Sequence, residues 1–142
     1  MDWLFRSKFL MLLALGLVIW GVERLIVTDK EAIENLAEAL AEDVRHERWD
    51  AMQGRLHPQF EYGKMDGAQT IEHIQDLVKR FQPGNVGLNL FDIEVDGDTA
   101  KSKGHVWANA AGRPGRLAID ARFVKTDDGW VLREVLGGYF GR

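Results

Sequence analysis

An α+β fold, with helices gathered on one face of an antiparallel sheet, is what the sequence predicts for residues 28–142, and three observations predict it. Residues 86–138 alternate apolar and polar positions in runs broken at Asp96-Gly97-Asp98, Ala111-Gly112-Arg113-Pro114 and Asp127-Asp128-Gly129, the punctuation of four hairpin-connected strands. The alternation also segregates charge. One face collects Phe91, Ile93, Val95, Ala100, Ser102, Gly104, Val106, Ala108, Leu117, Ile119, Ala121 and Phe123 without a single charge, whereas Lys101, Lys103, His105, Trp107, Asp120 and Arg122 take the other. A sheet of this kind needs one covering layer, and two amphipathic stretches upstream can supply it.

Composition narrows the field first. The 142 residues fit one domain plus an appendage, and 46% hydrophobic with 28% charged residues is ordinary for a folded chain. A net charge of -4 with mixed signs offers no basic footprint, so nucleic acid is not an expected partner. With no Cys there is no disulfide, no thiolate nucleophile and no Cys-based zinc site, and four scattered His residues suggest no metal centre.

Residues 1–27 read as a separate unit. Arg6 and Lys8 precede an apolar run from Phe9 to Val22, shorter than the ~20 residues of an ordinary span. A cleaved signal peptide would end in a small-x-small site, which Val18-Ile19-Trp20-Gly21-Val22 lacks. An interfacial helix would show a charged face, and this run is apolar all round. A single-pass signal anchor is therefore expected, with Trp3 and Trp20 near the headgroups. The basic residues before the run place the N-terminus in the cytoplasm and the following domain outside the inner membrane.

Thr28 and Glu31 have capping-box spacing at the start of the next helix, whose Ile33, Leu36, Ala37, Leu40, Ala41 and Val44 recur on one side. Asp50 and Gln53 repeat that spacing for a short helix carrying Met52 and Leu56 and ending before Pro58. Phe60-Glu61-Tyr62 is expected as a short strand or rim segment. Asp66 and Gln69 begin a third helix with Ile71, Ile74, Val78 and Phe81 aligned, which stops at Gln82-Pro83-Gly84-Asn85. In the sheet, a loop at Asp96-Gly97 would set Ile93 opposite Ala100 and Phe91 opposite Ser102. A turn centred on Gly112-Arg113 would set His105 opposite Asp120, with Lys101 facing Asp92.

These local features, in this order, resemble the nuclear transport factor 2-like superfamily and its bacterial SnoaL-like members. The residues that carry the resemblance are Glu47-Arg48-Trp49-Asp50-Ala51-Met52, Leu56-His57-Pro58-Gln59-Phe60-Glu61-Tyr62, the helix from Ala68 to Phe81, Val95-Asp96-Gly97-Asp98-Thr99-Ala100, and Phe123-Val124-Lys125-Thr126-Asp127-Asp128-Gly129-Trp130. The resemblance implies a curved sheet wrapped around its helices to leave a conical pocket. It does not imply one activity, because the fold hosts isomerases, cyclases, dehydratases, ligand binders and assembly domains.

Three functions are weighed. The leading expectation is a non-enzymatic, membrane-anchored interaction or assembly subunit with a protein partner or a second copy, using an apolar spot at Trp107 and His105 and the tail residues Tyr139 and Phe140. That layout resembles the inner-membrane assembly factors of type IV secretion systems. The second is a binder of a small apolar ligand in a cone lined by Phe91, Ile93, Val106, Ile119 and Phe123, with Tyr62 and Ser102 as polar orienters and no cofactor. The third is a SnoaL-like isomerase or hydrolase, for which Asp50 and His57 at the rim are the candidate catalytic residues; Asp50 is equally a helix cap and His57 a loop residue. The pair His105 and Asp120 reads more economically as a cross-strand surface contact.

Overall fold

The computed structural model describes residues 11–15, 28–110 and 112–137. Residues 11–15 are helical and expose Met11, Leu12, Leu13 and Leu15. The rest of the expected anchor and the tail residues Tyr139 and Phe140 lie outside the described residues. Among those described, no helix is long and apolar enough to cross a membrane.

Three helices and five strands follow: α1 (Asp29–Arg45), α2 (Trp49–Gly54), β1 (Leu56–Tyr62), α3 (Gly67–Phe81), β2 (Asn85–Asp96), β3 (Thr99–Ala110), β4 (Arg113–Thr126) and β5 (Gly129–Leu136). The sheet order is β1-β5-β4-β3-β2, a meander of four antiparallel strands with β1 added in parallel to β5 at the edge. The helices lie on its apolar face. Ile33, Leu36 and Leu40 of α1 meet Ile93, Ala100, Ala121 and Phe123 of the sheet, and Met52, Leu56, Phe60 and Ile71 close the other side.

Local chemistry explains the helix ends. Thr28 Oγ1 accepts the Glu31 N–H, and Asp66 with Gln69 forms a full capping box for α3. The expected cap at Asp50 is corrected: Arg48 is the N-cap of α2, with no side-chain cap, and Asp50 is an exposed residue of its first turn. α2 also ends at Gly54, so Leu56 opens β1 and is not helical.

Asp29, the first residue of α1, fixes the helix to the β4–β5 hairpin. Its Oδ1 accepts Trp130 Nε1–H at 3.0 Å and Lys125 Nζ at 3.1 Å. The Trp130 bond first, then Lys125, hold the carboxyl below its ordinary value of 3.8. A depressed folded-state pKa means stabilisation that is present above pH 3.8 and is lost as pH falls through the lower folded value. The urea-midpoint difference between the native chain and Asp29→Asn should therefore be largest at neutral pH and shrink in acid. A difference unchanged between pH 7 and acid would show that the ionised carboxylate contributes nothing.

The sheet register departs from expectation in two places. The β2–β3 loop is Gly97-Asp98, which pairs Val95 with Ala100, and Ala110 pairs with Arg113, which shifts β3–β4 by two residues. An even shift keeps every side chain on its expected face but changes partners. His105 stands opposite Ala118 and Asn89, Asp120 opposite Lys103, and Lys101 meets Glu94 at 3.3 Å where Asp92 was expected.

The larger correction is a β-bulge between Phe91 and Glu94. Asp92 adopts φ +52°, a left-handed conformation that Asp tolerates better than most residues, and inserts one extra residue into β2. Upstream of it the faces exchange. Phe91 pairs with Lys103 on the outer face and is 40% exposed, while Val86, Leu88 and Leu90 turn inward opposite Ala108, Val106 and Gly104. Phe91 therefore cannot line the cone. A second bulge, between Arg122 and Phe123, interrupts β4–β5.

One buried charge organises the helical layer. Asp43 is fully buried; its Oδ2 lies 2.7 Å from Arg55 Nε and its Oδ1 3.4 Å from Arg48 Nε. The Asp43 carbonyl also accepts the Arg48 N–H, and the Arg55 carbonyl accepts the Leu132 N–H. One carboxylate thus joins α1, the α2 segment and the β1–β5 edge.

Candidate functional site

The cone is filled at one end and hollow at the other. Between the bulge and the β2–β3 turn, Ile93 and Ala100 are buried under α1, and Ser102 Oγ lies 2.8 Å from the Phe91 and Lys103 carbonyl oxygens. Ser102 is committed to the bulge and does not face a ligand space. Gly104 is closed off too, because a Cβ there would press on Leu90 Cδ2 and the Asn89 carbonyl oxygen, each at 2.9 Å. The small residues of this half allow close approach of neighbours.

Beyond Gly104 lies a cavity of ≈ 420 Å³. The sheet contributes Val86 and Leu88 of β2, Val106 and Ala108 of β3, and Leu117, Ile119, Ala121 and Phe123 of β4. The helices contribute Leu40 and Val44 of α1 and Ile74, Leu77, Val78 and Phe81 of α3, while Phe60, Tyr62, Leu132 and Val135 close the edge. Phe81 is mostly exposed even though it borders this space, as expected for a residue at an open mouth. Among the described lining residues, only Tyr62, His73, Trp107 and Arg113 carry polar side-chain atoms, and none is a carboxylate.

The helical layer also leaves a second, polar cavity of ≈ 600 Å³ where α1 and α3 end, lined by Arg45, His46, Glu47, Lys79 and Gln82. It shares Val44, Val78, Pro83 and Val86 with the apolar cavity. The two spaces therefore abut across a common apolar wall.

Of the residues expected in the cone, Tyr62, Val106, Ile119 and Phe123 line it together, whereas Phe91, Ile93 and Ser102 do not. The rim candidates do not converge. Asp50 is exposed on α2, and His57 Nδ1 accepts the Gln59 N–H at 3.0 Å within β1. On the outer face, His105 rests against Phe91 with ring centroids 5.1 Å apart, and Trp107 covers Gly87, where any Cβ would overlap the indole. Sequence reasoning missed His73 and Arg113, and placed Leu117 on the inward face without assigning it to the pocket. The i, i+2 spacing of Val86, Leu88 and Leu90 carried a usable signal for the inward half of β2. Among the described residues there is no cluster of three or more His, Asp or Glu that could hold a metal.

A curved five-stranded sheet around its helices, with an apolar hollow at one end, defines the nuclear transport factor 2-like fold, and solved structures agree. The chain is similar to a nuclear transport factor 2-like protein of unknown function from Shewanella oneidensis, with TM-score 0.61 and 14% identity over 76% of this chain and 97% of that one. It is similar to a nuclear transport factor 2-like protein with a cystatin-like fold from Novosphingobium aromaticivorans, with TM-score 0.59 and 19% identity over 87% and 84%. A candidate aromatic ring hydroxylase from the same organism gives TM-score 0.59 and 18% identity over 80% and 90%. No family model and no curated protein matches the sequence. Likeness at this identity establishes the fold, which is consistent with ligand binding and with SnoaL-like enzymes.

Proposed function

We propose that the chain is a non-catalytic binding domain that takes one small apolar molecule into its cone, held at a membrane by residues 1–27. The observation that carries this reading is the ≈ 420 Å³ cavity and its apolar lining. Pockets of about 300–1,000 Å³ with a few polar groups are the usual size and chemistry of small-molecule sites. An acid–base enzyme of this fold would want a carboxylate or an Asp–His pair where the substrate sits, and the lining offers His73 without an acid. The hydroxylase similarity therefore speaks for the fold more than for a reaction.

The full chain in a nonionic amphipol, titrated with the uncharged fluorophore N-phenyl-1-naphthylamine, should show saturable one-to-one enhancement above an amphipol blank. Leu117 is half-buried and borders the hollow, so Leu117→Trp should fill it and weaken binding by about tenfold or more, the loss of roughly 1.4 kcal/mol. Undiminished binding by Leu117→Trp would remove the cone as the site.

A second reading, an interaction subunit of a membrane complex or a homodimer, is favoured by the exposed Phe91 against His105, with Trp107 further along the same outer face. Full-length chain that purifies in mild detergent as a monomer without a stoichiometric partner would exclude it.

A further inference from the structure

The mouth of the cone is chemically unlike its interior, and the difference has one sign in excess. Arg113, at the start of β4, is exposed and is the only permanently charged residue among the described residues that line the apolar cavity. Gly84 N–H donates to the Asn109 carbonyl at 2.8 Å, and Ala110 pairs with Arg113, so the end of α3 and the start of β4 lie at the same end of the cone. There the abutting polar cavity adds Lys79, His46 and Arg45, against Glu47 as the one carboxylate among its described lining residues. Arg45 is held by Glu38 at 2.9 Å, but Arg113 and Lys79 make no ion pair among the described residues. In a chain of net charge -4, two cations without an ion pair among the described residues stand at the mouth of an apolar hollow, where a ligand can reach them.

We propose that the cone binds a single-chain amphiphile with an anionic head, its tail between the helices and the inner sheet face and its head at Arg113 and Lys79. This rests on the apolar-pocket reading above and specifies the ligand class. A planar guanidinium matches a carboxylate or phosphate bidentately, and an ammonium serves as a second point charge. The tail supplies affinity through burial, and the head fixes orientation. Carboxylate and phosphate heads share this chemistry, so both are tested.

The test is calorimetric titration of the full chain in a nonionic amphipol with dodecanoate, dodecyl phosphate, dodecanol and dodecyltrimethylammonium, which share one tail. The expected result is an anion bound about tenfold tighter than dodecanol, the size of one charge-assisted hydrogen bond, with dodecyltrimethylammonium weakest. Whichever anion binds tighter identifies the head. Arg113→Gln and Lys79→Gln, both at exposed positions, should bring the anion toward dodecanol, Arg113→Lys should keep part of the preference, and Lys79→Gln, which lies outside the lining of the apolar cavity, should leave N-phenyl-1-naphthylamine binding unchanged. Equal binding of dodecanol and both anions, or a preference that survives both Gln exchanges, overturns the anionic head while the apolar pocket stands. Failure of the neutral fluorophore and all four amphiphiles to bind overturns the pocket and this inference together.

Discussion

Phe123→Ala should lower the stability of the folded chain by about 3–5 kcal/mol, the range for deleting a large aromatic side chain from a packed interior. Phe123 is 1% exposed near the C-terminal end of β4, between Ala100 on β3 and Leu132 on β5, and it belongs both to the core and to the wall of the hollow. Truncation there would open the filled half of the cone into the hollow half. Chemical unfolding reads the loss as a lower midpoint at unchanged slope. A saturating apolar ligand should recover more stability in this variant than in the native chain if it reaches the new space. A loss below about 1 kcal/mol would mean that neighbouring side chains collapse into the gap, against the close packing described for this core.

The next largest effect is expected at the buried carboxylate. Arg55→Met leaves Asp43 fully buried with Arg48 alone at 3.4 Å, and stranding a buried charge costs on the order of 3 kcal/mol or more. The informative comparison is the double variant Asp43→Leu with Arg55→Met. Replacing both partners by apolar groups of similar size removes the desolvation burden along with the attraction, so the double variant should be more stable than Arg55→Met alone. If the double variant is instead less stable than the single one, the carboxylate serves the fold through its backbone neighbours rather than through its charge pair.

Much of the fold is legible in the sequence because it is written in local chemistry. Thr28 and the Asp66–Gln69 box mark helix starts, and the Asp-Gly turns mark hairpins with the backbone freedom that Gly97 uses at φ +60°. The apolar face of β3 and β4 follows from simple alternation. What was not legible depends on longer-range choices. Loop closure between Ala110 and Arg113, in place of a turn centred on Gly112-Arg113, moves partners by two residues without changing faces, so alternation cannot detect it. Asp92 carries no glycine signal, and its bulge exists because Ser102 and the neighbouring strand accommodate it. Asp43 was detectable. It falls three residues after Leu40 on the apolar stripe of α1, where a carboxylate demands a partner, and Arg48 and Arg55 follow within reach. The candidate site was half legible for the same reason: Val106, Ile119 and Phe123 lie on strands without an intervening bulge, while Phe91 lies upstream of one.

The irregularity at Asp92 has a consequence for how this hollow could change size. A strand can be read in only two phases, and β2 is read in both: one on each side of a single inserted residue. The downstream phase presents Ile93 to α1 and plugs the cone; the upstream phase presents Val86 and Leu88 to an empty space. The depth of the hollow thus depends on where along β2 the phase changes as well as on the bulk of the side chains that line it. Sliding that one insertion toward or away from the Gly97-Asp98 turn would lengthen or shorten the chamber in steps of two residues while every other strand keeps its register.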